Sequence, residues 1–390
     1  MSMNIDISND IRYVGVNDHD VDLFEGQFAV PLGMAYNSYV ICDREVAVMD
    51  TVDARFGDEW LRNVAAVTDH VDYLVVQHME PDHSANVAKF AAAYPRAKIV
   101  SSLPAFAMMK NFFGTDFADR RLVVGEGDTL SLGTHELAFV AAPMVHWPEV
   151  IVTYDQTSRT LFSADGFGKF GANDVVDPEG WDCEARRYYF GIVGKFGPQV
   201  QALLKKAAAL DIARICPLHG PVLATPGEIA HVVGQYQTWS SYAVESEGVC
   251  VAYTSVYGHT KAAVERFCEI LRAKGCPKVA CADLARDDTY ETIEDAFRYG
   301  RLVLATTTYN GAVFPKMEEF IRHLARRNYQ RRKVGLIENG TWAPLAAKGM
   351  RALLEPLSGL EFCPTTVTLR GSMTEATVGS LTELAEEVLS

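Results

Sequence analysis

His78-Met79-Glu80-Pro81-Asp82-His83 places two imidazoles and two carboxylates within one short stretch, directly after the apolar run DYLVVQ. In a tight turn, such spacing aims four hard or borderline donors at one small volume. Three more donors each close an apolar run of their own: His146 after ELAFVAAPMV, Asp165 after TLFSA, and His219 after ARICPL. A single His or Asp at a strand end is ordinarily a surface or capping residue. A cluster joined by donors from three further strand ends is not accounted for in that way. Imidazole and carboxylate together suit iron, manganese or zinc, and seven donors are too many for one tetrahedral ion. Two metals are implied.

A second group of residues favours an anion. After VCVAY comes Thr254-Ser255-Val256-Tyr257-Gly258-His259-Thr260, followed at once by a helical pattern. Hydroxyls and free backbone N–H groups converge at a helix N-terminus, where the macrodipole also favours negative charge. The stretch has no Gly-x-x-x-x-Gly-Lys, so a monophosphate fits better than a triphosphate. Thr306-Thr307-Thr308-Tyr309-Asn310-Gly311 follows RLVLA, and Glu338-Asn339-Gly340-Thr341-Trp342 follows KVGLI. Each loop alone reads as ordinary turn or capping chemistry. All three leave the carboxyl ends of strands, where ligands of open α/β sheets bind, and Tyr309 or Trp342 can stack on a flat ring. Gly166-Phe-Gly168-Lys-Phe-Gly171 matches the letters of a dinucleotide fingerprint, but ANDVVDPEGW follows it, where a helix would have to open. It reads as a turn-rich loop beside Asp165.

The elements that must position these residues fall into two patterns. From about residue 28 to 225, EVAVMD, DYLVVQ, AKIVSS, ELAFVAAP, VIVTYD, TLFSAD and ARICPL read as short strands, with helical SANVAKFAAAYP and PQVQALLKKAAAL between some of them. From Val249 onward five strands alternate with five helices, which predicts a doubly wound parallel sheet of flavodoxin-like order. The expected domains are 1–247 and 248–390, joined through QTWSSYAVESEG.

The chain of 390 residues, 48% apolar, is long enough for two cores. No run approaches the roughly 18 apolar residues of a membrane span, and MSMNIDISNDIRYVG has no leader pattern. The expectation is a soluble, cytoplasmic protein with no membrane partner. A net charge of −14 argues against a nucleic-acid footprint. Eight scattered cysteines lack Cys-x-x-Cys spacing, which excludes a rubredoxin-type or four-cysteine zinc site, and the closest pair, Cys276 and Cys281, reads as plain structural thiols.

The His78–His83 turn resembles that of the metallo-β-lactamase superfamily, whose hydrolases carry His-x-His-x-Asp-His. Here Glu80 replaces the second His, a harder donor that favours iron over zinc. The resulting His-x-Glu-x-Asp-His resembles the flavodiiron proteins, as do the 62 residues between His83 and His146 and the 18 between His146 and Asp165. The three C-terminal loops resemble those by which flavodoxins hold FMN, although Thr306-Thr307-Thr308 stands where relatives often have Ser-Pro-Thr.

That resemblance implies an N-terminal metallo-β-lactamase-like αββα sandwich followed by a flavodoxin-like five-stranded parallel sheet. It also implies two irons, one on His78, Glu80 and His146, the other on Asp82, His83 and His219, with Asp165 bridging. The implied activity is reduction of dioxygen, nitric oxide or both. The minimal architecture of the family implies an external donor, rubredoxin or a reduced deazaflavin coenzyme. Head-to-tail homodimers, or dimers of dimers, are implied as well, with Met79 and Trp147 as residues that could line the junction. Two other readings stand beside this one. A zinc or di-metal hydrolase with a regulatory flavodoxin half is disfavoured by Glu80, and a pure electron carrier is disfavoured by the intact donor set.

Overall fold

The computed structural model describes residues 7–390. The first six residues of MSMNIDISNDIRYVG, in which no leader pattern is read, lie outside the described residues. The chain divides into two compact units: one runs to Tyr189 and includes Phe196–Gln237, and the other takes Phe190–Lys195 with Thr238–Ser390. The division falls inside the helix Pro226–Ser240, because periodicity continues through a sequence that composition alone marks as a join. Among the described residues, no helix is long and apolar enough to cross a membrane.

The first unit is built on two mixed sheets. In one, Ile11–Tyr13, Tyr39–Ile41, Ala47–Met49, Tyr73–Val75, Lys98–Ser101 and Arg121–Val123 lie side by side, antiparallel at first and parallel from Ala47–Met49 onward. In the other, Thr129–Ser131, Glu136–Ala141, Ile151–Asp155 and Thr160–Phe162 run antiparallel, and Arg214–Cys216 joins in parallel. Met49, Val75 and Val100 from the first sheet pack with Leu137, Phe139 and Phe162 from the second in one buried core. Two sheets sharing a core, each with helices on its outer face, make the αββα sandwich. On the outside, Leu204 of the helix Gly197–Ala207 lies against Val140, Val152 and Leu161. On the other side, Trp60 of Gly57–Val67 donates from Nε1 to Ser38 Oγ at 2.9 Å.

The second unit has five parallel strands in the order Val279–Asp283, Ser246–Tyr253, Tyr299–Tyr309, Lys333–Asn339, Glu361–Leu369. This is the flavodoxin-like order, with its switch point beside Ser246–Tyr253. The helical pattern read through Gly300 stops at Arg298, and Tyr299 opens the strand instead. Tyr299 is buried in register with Ser246, and its carbonyl accepts a bond from Arg332 Nε at 2.8 Å, so pairing outweighs local propensity there.

Candidate functional site

The seven donors of the first unit converge. His78 follows Tyr73–Val75, Asp165 follows Thr160–Phe162 and His219 follows Arg214–Cys216, while His146 comes from the loop after Glu136–Ala141. The turn after His78 is not a bare loop: Pro81 opens the short helix Pro81–Ser84, which carries Asp82 and His83. Thr51 clamps it, donating from both its backbone N and its Oγ1 to the His83 carbonyl at 2.9 and 2.7 Å.

Two sets form. In the first, His78 Nε2 lies 3.3 Å from His146 Nε2 and 3.2 Å from Glu80 Oε2, and His146 Nε2 is 2.9 Å from the same oxygen. In the second, His83 Nε2 lies 3.0 Å from His219 Nε2, and Asp82 Oδ2 is 3.2 Å from His83 and 3.3 Å from His219. Asp165 spans them. Its Oδ2 is 3.5 Å from His78 and 3.2 Å from His146, whereas its Oδ1 is 3.3 Å from His83 and 3.8 Å from His219.

These separations and the state of the donors fit metal ions. Neighbouring ligands about 2.1 Å from an octahedral ion stand about 3.0 Å apart. Asp82 Oδ1 and Oδ2 and Asp165 Oδ1 are buried without a hydrogen-bond partner, a cost that a cation removes. The carboxylates draw positive charge onto His78 and His146. Burial works against protonating His146, yet Asp165 and Glu80 push it up to about 9. Burial also opposes the charge of Asp165, but His78, His146 and His83 hold its carboxyl well below the usual range.

Outside this ring stand groups that the sequence reading did not single out. Glu149 Oε1 lies 2.9 Å from His78 Nδ1 and accepts the Met79 N–H at 2.9 Å, which leaves His78 Nε2 turned toward the other donors. His219 Nδ1 donates to the Ala35 carbonyl at 2.7 Å, to the same effect. Asp50 Oδ1 accepts from Gln77 N at 2.7 Å and fixes the start of the turn. The one sequence signal for Glu149 is its place three residues beyond His146 in HWPEV. Met79 is fully buried, and Trp147 sets its ring edge-on to His78 with centroids 5.3 Å apart. No helix opens within Gly166–Gly171, which ends in a β-bridge from Gly171 to Met34, and the next helix begins only at Trp181.

In the second unit the three loops enclose a cleft of about 540 Å³. Ser255, Val256, Tyr257, His259, Thr260, Thr307, Thr308, Tyr309, Asn310, Gly311, Asn339, Gly340, Thr341 and Trp342 line it, joined by Ala343 and Gly371, which were not anticipated. Thr254, Gly258 and Glu338 do not line it. Thr254 is buried with its hydroxyl 2.5 Å from Thr306 Oγ1, and Glu338 accepts from Ala347 N at 2.9 Å and from Thr368 Oγ1 at 3.0 Å. Successive strand residues face opposite ways, so Asn339 reaches the cleft while Glu338, before it on the same strand, braces the sheet. Gly258 caps the helix His259–Ala273 at φ 91°. Ser255 Oγ accepts from Gly258 N and Lys261 N at 3.1 and 3.2 Å, folding the loop over the first helical turn. Asn310 and Gly311, at φ 51° and 73°, form the two-residue turn of a hairpin that pairs Tyr309 with Ala312.

Residues 34–220 match the family model described as ODP family beta lactamase. The chain is 28% identical to the anaerobic nitric oxide reductase flavorubredoxin of Aliivibrio fischeri, over 87% of this chain and 70% of that one. It is 27% identical to the rubredoxin-oxygen oxidoreductase of Megalodesulfovibrio gigas, over 91% and 89%. The chain spans about half the length of some relatives, 48% of a diflavin flavoprotein of Synechocystis. The crystal structure of the flavodiiron protein from Giardia intestinalis shares the fold at a TM-score of 0.92 and 22% identity, covering 100% of this chain and 97% of that one. The matches to these relatives span most of the chain, and its fold is that of the flavodiiron proteins.

Proposed function

We propose that this protein reduces dioxygen to water, nitric oxide to nitrous oxide, or both, at a di-iron centre fed through FMN by an external electron donor. The observation that carries this reading is Asp165, whose two oxygens each face a separate set of three donors. One iron would sit on His78, Glu80 and His146, the other on Asp82, His83 and His219, with Asp165 shared. Such an ion would take four protein donors and, if six-coordinate, would have positions left for a diatomic molecule. Two ferrous ions and a reduced FMN together hold four electrons, as dioxygen reduction to two waters requires, whereas joining two nitric oxides needs two.

The chain's own part is binding and orientation. Glu80 offers a hard anion where hydrolases of this fold use imidazole. Glu149 and the Ala35 carbonyl hold two imidazoles with Nε2 inward. The His259–Ala273 N-terminus, with Ser255 and Thr260, suits the FMN phosphate, and Tyr309 and Trp342 suit the ring.

Relatives named for nitric oxide reduction and for oxygen reduction support both gases, and the second supports rubredoxin as donor; a reduced deazaflavin coenzyme is the other candidate. Tyr257 and Trp342 are 91% and 90% exposed at the cleft, which supports a second copy covering it in a head-to-tail homodimer. Eight free thiols accord with the reducing cytoplasm. Protein made in iron-replete medium should contain about two irons and one FMN per chain. It should also consume at least one of the gases, each supplied separately in a sealed cell, with chemically reduced rubredoxin or a reduced deazaflavin coenzyme as donor. Stoichiometric zinc without iron, or full loading with no consumption of either gas, would overturn the reading.

A further inference from the structure

Along the chain, Cys276 and Cys281 are the nearest cysteines, but the fold brings together a different pair. Cys281 lies on the edge strand Val279–Asp283, in register with Val251 of Ser246–Tyr253. Residues paired across adjacent strands share a face of the sheet. Val251 belongs to the core beneath the helix His259–Ala273, and so does Cys268, which that helix carries. Cys281 therefore faces the helix, and the two thiols are neighbours there. Because the strand is an edge, Cys281 is exposed while Cys268 is buried. Cys276 takes another partner: its thiol donates to the Lys278 carbonyl at 3.1 Å.

We propose that Cys268 and Cys281 form a reversible disulfide, made by exchange with a low-molecular-weight disulfide and undone by the corresponding thiol. Bringing neighbouring thiols to an S–S bond of about 2.05 Å is within the range of side-chain rotation. Cys281 is the attacking sulfur. The neighbouring Cys268 thiol lowers that of Cys281 and Arg272 assists, against an opposing effect of burial. The Cys281 thiolate bonds to one sulfur of the small disulfide, whose own S–S bond breaks, and one small thiolate leaves. Cys268 then gives up its proton and bonds to the Cys281 sulfur, expelling the second small thiolate. Two protein thiols lose two electrons, one small disulfide gains them, and both protons end on the small thiols. The bridge would fasten to the edge strand the helix whose first turn carries Thr260 of the cleft. By contrast, burial pushes the thiols of Cys216 and Cys250 up, and both lie in the interior out of reach.

The test uses the full chain with its bound cofactors, reduced and then equilibrated in mixtures of oxidised and reduced glutathione. Quenching with N-ethylmaleimide and peptide mass mapping should reveal one peptide pair joined through Cys268 and Cys281, with Cys216 and Cys250 remaining thiols. Cys268→Ser should trap glutathione on Cys281, at about tenfold the level in the wild type, because the resolving thiol is gone. A Cys276–Cys281 link overturns the proposal. So does glutathione on Cys281 at equal levels in both proteins, or a wild-type chain in which Cys281 stays free. The wild-type mapping decides the matter even where the variant fails to fold.

Discussion

At the scale of single residues, Glu149 shows how a group outside the donor ring can control it. With its carboxylate on His78 Nδ1, the imidazole is held in one tautomer and one orientation. Glu149→Ala removes the acceptor for both His78 and the Met79 N–H, and affinity at the His78, Glu80, His146 set should fall about 10- to 100-fold. A chelator titration followed by metal analysis should then release one iron well before the other. Release of both irons with the wild-type profile would remove Glu149 from this role. His135 and Asp155, 2.7 Å apart and both buried, allow a test of pH dependence away from the donors. The hydrogen bond to Asp155 raises His135 against the effect of burial. Burial would raise Asp155, but His135 and Ser158 outweigh it and hold it low. A raised imidazole stabilises fully below its unfolded value near 6.5 and loses that contribution as pH climbs past its folded value. A lowered carboxyl contributes above its unfolded value near 3.8 and loses that as pH falls through its folded value. The pair therefore contributes most between these two values. The stability gap between wild type and Asp155→Asn should be larger at about pH 5.5 than at about pH 9, by about 1 kcal/mol. Equal gaps at both pH values would show that His135 is not charged in the fold.

At the scale of elements, the hairpin after Tyr299–Tyr309 explains why Asn310-Gly311 occupies that loop. Both residues are left-handed, and the antiparallel pairing of Thr308 with Val313 depends on that turn. A Cβ on Gly311 meets nothing within 4 Å, so the cost of Gly311→Ala is the backbone conformation alone, about 1 kcal/mol. Since Tyr309 leads into this turn, the FMN dissociation constant should rise about fivefold, measurable by quenching of flavin fluorescence on titration. Unchanged FMN affinity would mean that the hairpin does not shape the ring site. The same scale explains the decoy. Gly166–Gly171 has the letters of a phosphate loop, but a fingerprint needs a helix to present its N–H groups, and here turns follow.

For the molecule as a whole, the two units hold separate sets of chemistry, and the proposed reaction needs both. Replacing Ser255 and Thr260 with Asp sets negative charge where the FMN phosphate is expected, and binding should weaken by several kcal/mol, at about 1.5–3 kcal/mol per hydrogen bond to a charged group. Iron content should be unchanged, because all seven donors belong to the other unit. Steady-state oxygen reduction with an external donor should collapse, while a chemically pre-reduced protein should still react once with nitric oxide. Normal turnover in flavin-free protein would show that electrons reach the irons without the second unit.

What the sequence determined by itself was the kind and position of each donor and the succession of elements that carries them. His78, His146, Asp165 and His219 stand out because each closes an apolar run, and Glu80, Asp82 and His83 because they crowd the turn after the first of them; strand periodicity is a local property. The five strands and five helices after Val249 are legible for the same reason, and alternation of that kind admits few topologies. The tertiary structure decided the grouping. That Asp165 turns one oxygen to each set, that Glu149 meets His78 from 71 positions away, and that Cys281 pairs with Cys268 rather than with Cys276 are contacts between distant segments. Periodicity fixes which way a side chain faces within its own element. It carries no information about which other element is packed there, so those partners became visible only once the sheets had closed on their cores.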